Sequence, residues 1–186
     1  VQTMSKKRSN ILIDLISEND SLEKTLYRLK VIFSDLPTSE YSKKILSWID
    51  NEIQGYPREG FIPTYRQITG RPMGSYVANG AVQYSNVLIP IRLSKFTDSE
   101  VNRILSMNIS NPIKDIEYMS EQRESLGIPI AAELLSHAST YNFQIQSLTA
   151  TTSSNELKVI VAQVKNKLVN IVLELERMFD DIDSLD

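Results

Sequence analysis

The sequence predicts an α+β fold that is mostly helical, with a small antiparallel sheet in its middle and a long amphipathic helix at its end. Three observations lead to this prediction. Leucine-rich segments with helical spacing fill the first third of the chain. A turn-rich, partly extended segment follows from Gly55 to about residue 95, and a strict heptad pattern occupies residues 155–182.

The first third predicts an antiparallel helical hairpin. Apolar residues recur over 22–33 with the spacing of one buried helix face, and Asp20 with Glu23 matches the capping-box pattern at its start. Pro37 ends this helix, and a second one follows after a short loop, carrying Trp48 on its apolar face. Gly55 stands where a helix C′ residue is expected, because glycine enters positive φ without a Cβ penalty.

The middle of the chain predicts the sheet. Asn79-Gly80 separates residues 75–78 from 81–84, and this dipeptide favours the type I′ turn of a two-stranded hairpin. Residues 87–93 are β-rich, but Pro90 restricts them to a sheet edge or a bulge. Thr97 with Glu100 predicts another capping box, and Pro129 is expected to open a helix. Partial alternation over 141–150 indicates one more strand.

The final helix is expected to span about 155–182, a length of about 42 Å at 1.5 Å per residue. Its heptad stripe is wider than the seam of a two-stranded coil, so it favours a helix bundle. Such a stripe needs a partner surface, either in the same molecule or in another copy. Five of its residues are predicted to contribute to assembly: Leu168, Ile171, Leu175, Met178 and Phe179.

Composition narrows the classes of function. A net charge of -3 and a pI near 5.3 argue against nucleic-acid binding through the whole surface. The absence of cysteine removes disulfides and thiolate chemistry, and no apolar run reaches the 18 to 20 residues that span a bilayer. We therefore expect a cytoplasmic protein, not associated with a membrane, with a flexible tail over residues 1–10 and one domain over 11–186.

No set of residues predicts catalysis, a cofactor or a metal. Asp50 and Glu52 lie two residues apart on a predicted helix, so they point to different faces and do not converge. An arginine and tyrosine rim is predicted around the turn: Tyr56, Arg58, Tyr65, Arg66, Arg71 and Tyr76. Such a rim is typical both of protein interfaces and of proteins that stack single-stranded nucleic acid.

The segment from Trp48 through Gly55-Tyr56-Pro57 to Pro63-Thr64-Tyr65-Arg66 resembles the AbiTii family of bacterial abortive-infection proteins. The resemblance extends over most of residues 11–180. It implies a role in defence against phage, and it implies that such domains often stand at the N-terminal end of longer proteins with separate effector regions. The chain is then expected to be a fragment. The resemblance implies no catalytic residue.

These observations favour a non-catalytic module that self-associates or senses a partner. The expected partners are a second copy, an effector domain or another defence protein, with a phage component as a possible trigger. An alternative is a metal-dependent nuclease or nucleotide hydrolase that uses carboxylates with the cluster of Arg58, Arg66 and Arg71. A third hypothesis is a sensor of nucleic acid that uses the arginine and tyrosine rim.

Overall fold

The computed structural model describes residues 6–186, and it confirms the predicted α+β, mostly helical fold with small antiparallel sheets. Within these residues the helices are α1 Asn10–Ile16, α2 Leu22–Asp35, α3 Glu40–Gln54, α4 Asp98–Leu105, α5 Ile113–Glu121, α6 Ala132–Ala138 and α7 Ser154–Met178. The strands are β1 Gln67–Thr69, β2 Arg71–Ala78, β3 Val82–Leu88, β4 Ser106–Asn108, β5 Gly127–Pro129 and β6 Phe143–Thr151. Short 3₁₀ helices cover Thr64–Arg66 and Ile91–Leu93.

The chain forms two compact units. The first unit comprises Val1–Phe61, Ser110–Tyr118 and Lys158–Asp186, and the second comprises Ile62–Ile109 and Met119–Leu157. The helices α1, α2, α3 and most of α7 belong to the first unit, and all six strands belong to the second.

The helical hairpin predicted for the first unit is confirmed. The rings of Phe33 and Tyr41 lie 6.2 Å apart near the connection between α2 and α3. Lys30 and Asp50 form an ion pair of 2.7 Å farther along the same two helices. Pairs separated by 8 and then 20 residues are what an antiparallel arrangement produces.

The start of α2 differs from the prediction. Ser21, not Asp20, is the N-cap residue, and its hydroxyl accepts a hydrogen bond from the Lys24 N–H at 3.2 Å. The Asp20 carboxylate instead accepts from Lys24 Nζ at 3.0 Å and from Arg28 Nη1 at 2.7 Å. Because Ser21 is the N-cap residue and the Asp20 carboxylate is directed to two cations, the predicted Asp20–Glu23 box is wrong.

Gly55 follows the last residue of α3, as predicted, with φ 95° and ψ 158°. This is positive φ, but it is not the left-handed helical conformation that a C′ glycine usually adopts. A Cβ at this position would lie 2.9 Å from the Ser110 carbonyl oxygen, which also accepts a 2.8 Å hydrogen bond from the Tyr56 N–H. The close approach of these two backbones therefore requires glycine.

The long helix α7 begins as predicted and ends earlier. Ser153 and Glu156 form a capping box at its start, because each backbone N–H donates to the other side chain, at 3.1 and 3.3 Å. The helix stops at Met178, four residues before the predicted end. Ile182 is nevertheless buried, since the chain beyond the helix returns toward α1, where the Asn10 N–H donates to Asp183 at 2.8 Å.

The predicted flexible tail over residues 1–10 lies partly outside the described residues. Within the part that is described, the Ser9 hydroxyl caps α1 by accepting from the Leu12 N–H at 3.4 Å, and Asn10 begins that helix. Ser9 is itself buried.

The second unit contains a four-stranded antiparallel sheet with the strand order β3-β2-β6-β5. The predicted hairpin joins β2 to β3. Asn79 and Gly80 have φ values of 52° and 67°, as a type I′ turn requires, and the Ala81 N–H donates to the Ala78 carbonyl at 3.1 Å. The strand predicted over 141–150 is confirmed as β6, which lies between β2 and β5.

A β-bulge in β6 explains its partial alternation. Ser75 of β2 pairs with Ser147, but the next residue, Tyr76, pairs with Ile145, so β6 contains one extra residue at Gln146. The bulge brings the Ser147 carbonyl against β2, where a Cβ on Gly74 would lie 2.0 Å from its oxygen. Gly74 is therefore required at this point of the sheet.

Three other features of the second unit were not predicted. Residues 127–129 form β5, and the helix expected to open at Pro129 begins at Ala132. A separate two-stranded sheet pairs β1 with β4. The segment from Arg71 to Gly74, inside the part of the chain predicted to be turn-rich and partly extended, is the start of β2.

One hydrophobic cluster supports the sheet. It combines buried residues of β6 with residues of α6 and of the segment after β3: Ile89, Ile91, Phe96, Leu135, Ala138, Phe143, Ile145 and Leu148. Tyr76 of β2 packs against this cluster, together with Val101 and Ile104 of α4. The capping box predicted for α4, between Thr97 and Glu100, is confirmed.

Candidate functional site

The most unusual surface of the second unit is a sheet that lacks charge. Residues 72–91 and 134–155 contain no aspartate, glutamate, lysine or arginine, whereas 23% of the chain is charged. At that average, a segment of 20 residues would carry about four or five charged side chains. These two segments include β3, β6 and all of β2 except Arg71, and β5 is uncharged as well. We call the strands β2, β3, β5 and β6 the neutral sheet.

Much of the neutral sheet is exposed to solvent. Six of the seven residues of β3 are exposed, and the exposed fractions of Val82, Tyr84 and Leu88 are 50%, 43% and 60%. On β6 the side chains of Gln144 and Gln146 are exposed. Surfaces of folded proteins usually mix charges of both signs, so an exposed area without any charge requires a specific explanation.

A row of three aromatic rings fastens β3 to the interior. Tyr84 stacks on Tyr76 with ring centroids 4.9 Å apart and an interplanar angle of 16°. Tyr76 in turn lies 5.0 Å from the ring of Phe143, which is buried in the hydrophobic cluster. Across the strands, Gln83 donates to the side-chain oxygen of Gln146 at 3.1 Å. The exposed strand is therefore held in a defined position.

The two edges of the neutral sheet differ. β5 has three residues, one of which is Pro129, and a short edge strand with proline is poorly suited to pairing with another chain. β3 has seven residues and contains neither proline nor charge. Its one protective feature is a bulge, where Asn86 has φ 53° and its N–H donates to the Ser75 hydroxyl at 3.4 Å.

The arginine and tyrosine rim predicted from the sequence does not form one exposed surface. Tyr56 and Arg66 are buried, with exposed fractions of 7% and 0%. The Arg66 guanidinium donates to the Ile109 carbonyl at 2.7 Å, so it holds the second unit together from inside. Arg58 and Arg71 are exposed, and they belong to different units, whereas Tyr65 is only partly exposed.

The neighbourhood of Tyr56 in the first unit is a buried polar cluster. The Tyr56 hydroxyl donates to Glu52 Oε1 at 2.8 Å, and Glu52 is fully buried. Lys167 of α7 lies over the Trp48 ring, with Nζ 4.5 Å from the ring centroid. Burial lowers the pKa of Lys167, and the nearby charge of Glu52 partly opposes this shift. The cluster positions α3 against α7 inside the first unit, which is a structural role.

The apolar stripe of α7 is buried within the chain. Leu168, Ile171 and Leu175 are at most 4% exposed, so residues of this chain cover them and they do not form an exposed surface. α7 also contacts another part of the first unit, since Lys165 forms an ion pair of 2.7 Å with Glu18. Of the other two predicted residues, Met178 is 54% exposed and Phe179 is partly exposed.

Sequence reasoning missed the neutral sheet, although the signal was present. The net charge and the charged fraction describe the chain as a whole. The two long uncharged segments are visible only in the distribution of charged residues along the sequence. Their proximity could not be read from the sequence, because β2 and β6 are separated by more than 60 residues and meet only in the fold.

The described residues contain neither a metal-binding cluster nor a membrane-spanning helix. Residues 6–186 contain no group of three or more histidine, aspartate or glutamate side chains arranged to hold a metal ion. No helix among them combines the length and the apolar character needed to cross a membrane.

The fold and its neutral sheet define the class of protein as a mostly helical α+β domain with one exposed, uncharged β-surface. A family model described as AbiTii matches residues 9–186, and the chain belongs to the AbiTii family. Membership of this family suggests a role in abortive infection, which is a form of anti-phage defence. Comparison with curated proteins gave no match, and neither did comparison with solved structures.

Proposed function

We propose that this chain is a non-catalytic binding module of an abortive-infection system and that the neutral sheet is its contact surface. The observation that carries the proposal is the exposed sheet whose one charged residue is Arg71, at the start of β2. Depletion of charge is the compositional feature that distinguishes the centre of a protein interface from the remaining surface. The cysteine-free sequence fits a cytoplasmic location.

Two further properties of the sheet support a contact role. The exposed groups are amides, hydroxyls and apolar side chains, which form hydrogen bonds and van der Waals contacts without the cost of removing an ion from water. The aromatic row of Tyr84, Tyr76 and Phe143 holds the surface in place before binding. A surface that is already ordered loses little conformational entropy when it binds.

The enzymatic alternative receives no comparable support. It relies on carboxylates with the cluster of Arg58, Arg66 and Arg71. Arg58 and Arg71 belong to different units, and the side chains of Arg66 and of the carboxylate Glu52 are fully buried. Glu52 accepts the hydrogen bond of Tyr56, and Arg66 donates to a backbone carbonyl of its own unit. These contacts give both residues a sufficient structural role.

Charged substitutions on the sheet test the proposal. We expect the double variant Gln144→Lys with Gln146→Lys to fold, because both side chains are exposed, and to lose most protection against phage. The measurement is the plaque count on cells that carry the native gene or the variant gene. The matched control places the same two charges on exposed positions of α7, through Gln163→Lys with Asn166→Lys, and should keep protection. Equal protection by the sheet variant would contradict the proposal.

A further inference from the structure

We infer that a second copy of this chain extends the neutral sheet at its β3 edge, by antiparallel pairing of β3 with β3 across a two-fold axis. The inference deepens the proposed function and rests on it, since it names the partner and the edge through which the module binds. Three observations carry it: the open edge, its lack of charge and its contrast with β5.

The chemistry of the edge defines the occupant as an extended polypeptide. β3 pairs with β2 on one side and has no strand on its other side among the described residues. One row of its backbone N–H and C=O groups therefore faces solvent, and such a row is satisfied best by the backbone of another strand. Five consecutive residues, 82–86, are exposed along it.

The charge of the edge selects among extended polypeptides. A strand with lysine, arginine, aspartate or glutamate would bring its charges against neutral side chains, where they lose water and gain no opposite charge. The occupant should therefore be uncharged over a comparable length. This chain supplies such a strand, because β3 lies inside an uncharged segment of 20 residues.

In antiparallel pairing about a two-fold axis, the side chains of β3 must also be compatible with the side chains of the same strand in the other copy. Residues near the axis meet their own copies, so any charge there would face the same charge. β3 contains valine, glutamine, tyrosine, serine, asparagine and leucine, and each of these can face itself. The four strands of each copy would then join into one continuous sheet.

The bulge at Asn86 sets the expected strength. It interrupts the regular part of the edge after Tyr84, so the intermolecular ladder is short. We expect a small interface of the weak, transient class, below about 1,200 Å² of total buried area. The association should accordingly depend on protein concentration.

The experiment measures mass in solution by light scattering over a dilution series. We expect the wild-type chain to approach twice the protomer mass of 21.1 kDa at about 200 μM and to dissociate at about 1 μM. Gln83→Lys and Gln83→Glu change an exposed residue of β3, and each should weaken self-association about tenfold or more by placing like charges across the axis. An equal mixture of the two variants should restore it.

The outcomes separate this inference from the proposed function. A wild-type chain that stays at protomer mass at about 200 μM overturns the second copy, and so does a Gln83→Lys variant that associates as strongly as the wild type. A mixture that fails to recover overturns the two-fold pairing of β3. If the masses contradict the inference while the Gln144→Lys and Gln146→Lys variant still loses phage protection, the neutral sheet binds a different protein and the proposed function stands.

Discussion

Gly74 is the residue on which the geometry of the central sheet depends most directly. The Ser147 carbonyl oxygen occupies the space of a Cβ at this position, at 2.0 Å. No side-chain rotation relieves that overlap, because the obstructing atoms belong to the backbone. The residue and the bulge of β6 therefore depend on each other.

Gly74→Ala should destabilise the protein severely, because β2 and β6 would have to separate. We expect the free energy of unfolding to fall by about 3 kcal/mol or more. The measurement is urea unfolding followed by circular dichroism. Gly80→Ala is the control, since open space surrounds Gly80 and only its φ of +67° opposes a side chain. Its cost should be about 1 kcal/mol, and similar losses for both variants would contradict the explanation.

Asp20 makes the stability of the first unit depend on pH. Its hydrogen bond with Lys24 and its contact with Arg28 lower the pKa of the Asp20 carboxyl, against the opposing effect of burial. A folded-state pKa below the ordinary value of about 3.9 means that the carboxylate stabilises the fold above that pH. This contribution is lost as the pH falls through the lowered pKa of the folded state.

Asp20→Asn should therefore matter at neutral pH and cease to matter in acid. At pH 7 we expect its melting temperature to lie about 1–3 °C below that of the wild type, and we expect the two to converge as the pH falls through the lowered pKa of Asp20 in the folded state. Thermal melts over a pH series give the comparison. Glu59→Gln makes the same change in net charge at an exposed loop position. A difference between Asp20→Asn and wild type that stays constant down to low pH would show that Asp20 acts by another route.

At the scale of elements, α7 shows what a heptad pattern does and does not establish. The pattern predicts a long helix with one buried stripe, and both features are present. The pattern does not identify the surface that covers the stripe. Here the covering surface lies in the same chain, which is one of the two alternatives that the stripe left open, and Leu168, Ile171 and Leu175 are buried.

Truncation along α7 distinguishes its buried stripe from its exposed end. Leu168→Ala removes a fully buried side chain, and we expect it to cost about 2–5 kcal/mol of unfolding free energy without changing the state of association. Met178→Ala, at a position that is 54% exposed, should cost less than about 0.5 kcal/mol. Denaturant unfolding and light scattering check both statements. If Leu168→Ala lost self-association while its unfolding free energy stayed at the wild-type value, the result would show that α7 forms the interface between copies.

The sheet elements show which local signals were sufficient. Asn79-Gly80 specifies its own turn, because both residues readily accept positive φ, so the hairpin could be predicted from four residues. The alternation of β6 is broken by the extra residue at Gln146, and that irregularity depends on the partner strand. β1 and β4 are three residues each, too short to carry a period, and they pair across about 40 residues of chain.

The predicted rim failed for a related reason. Tyrosine and arginine are typical of interfaces, but the same residue types also serve as internal anchors. Arg66 bonds to the Ile109 carbonyl, a contact that arises only after distant segments meet, and Tyr56 bonds to Glu52, four residues earlier in the chain. The order of these residues in the sequence contained no information on their burial.

At the scale of the whole molecule, charge is distributed unevenly. The helices carry most of the ionisable side chains, and the neutral sheet carries one, Arg71. This separation fits a module in which one surface keeps the protein hydrated while another is reserved for contact. Because the charged residues are concentrated in the helices, the net charge and the charged fraction of the whole chain are ordinary and do not indicate the uncharged surface.

Hydrogen exchange of the β3 backbone amides at low and high protein concentration tests the central claim most directly, because pairing of this edge must protect its outward N–H groups. We predict that amides within Val82–Leu88 exchange more slowly at about 200 μM than at about 1 μM, while the amides of Gly127 and Ile128 on the opposite edge do not change. Equal exchange of the β3 amides at both concentrations, in samples whose mass shows association, would contradict the account.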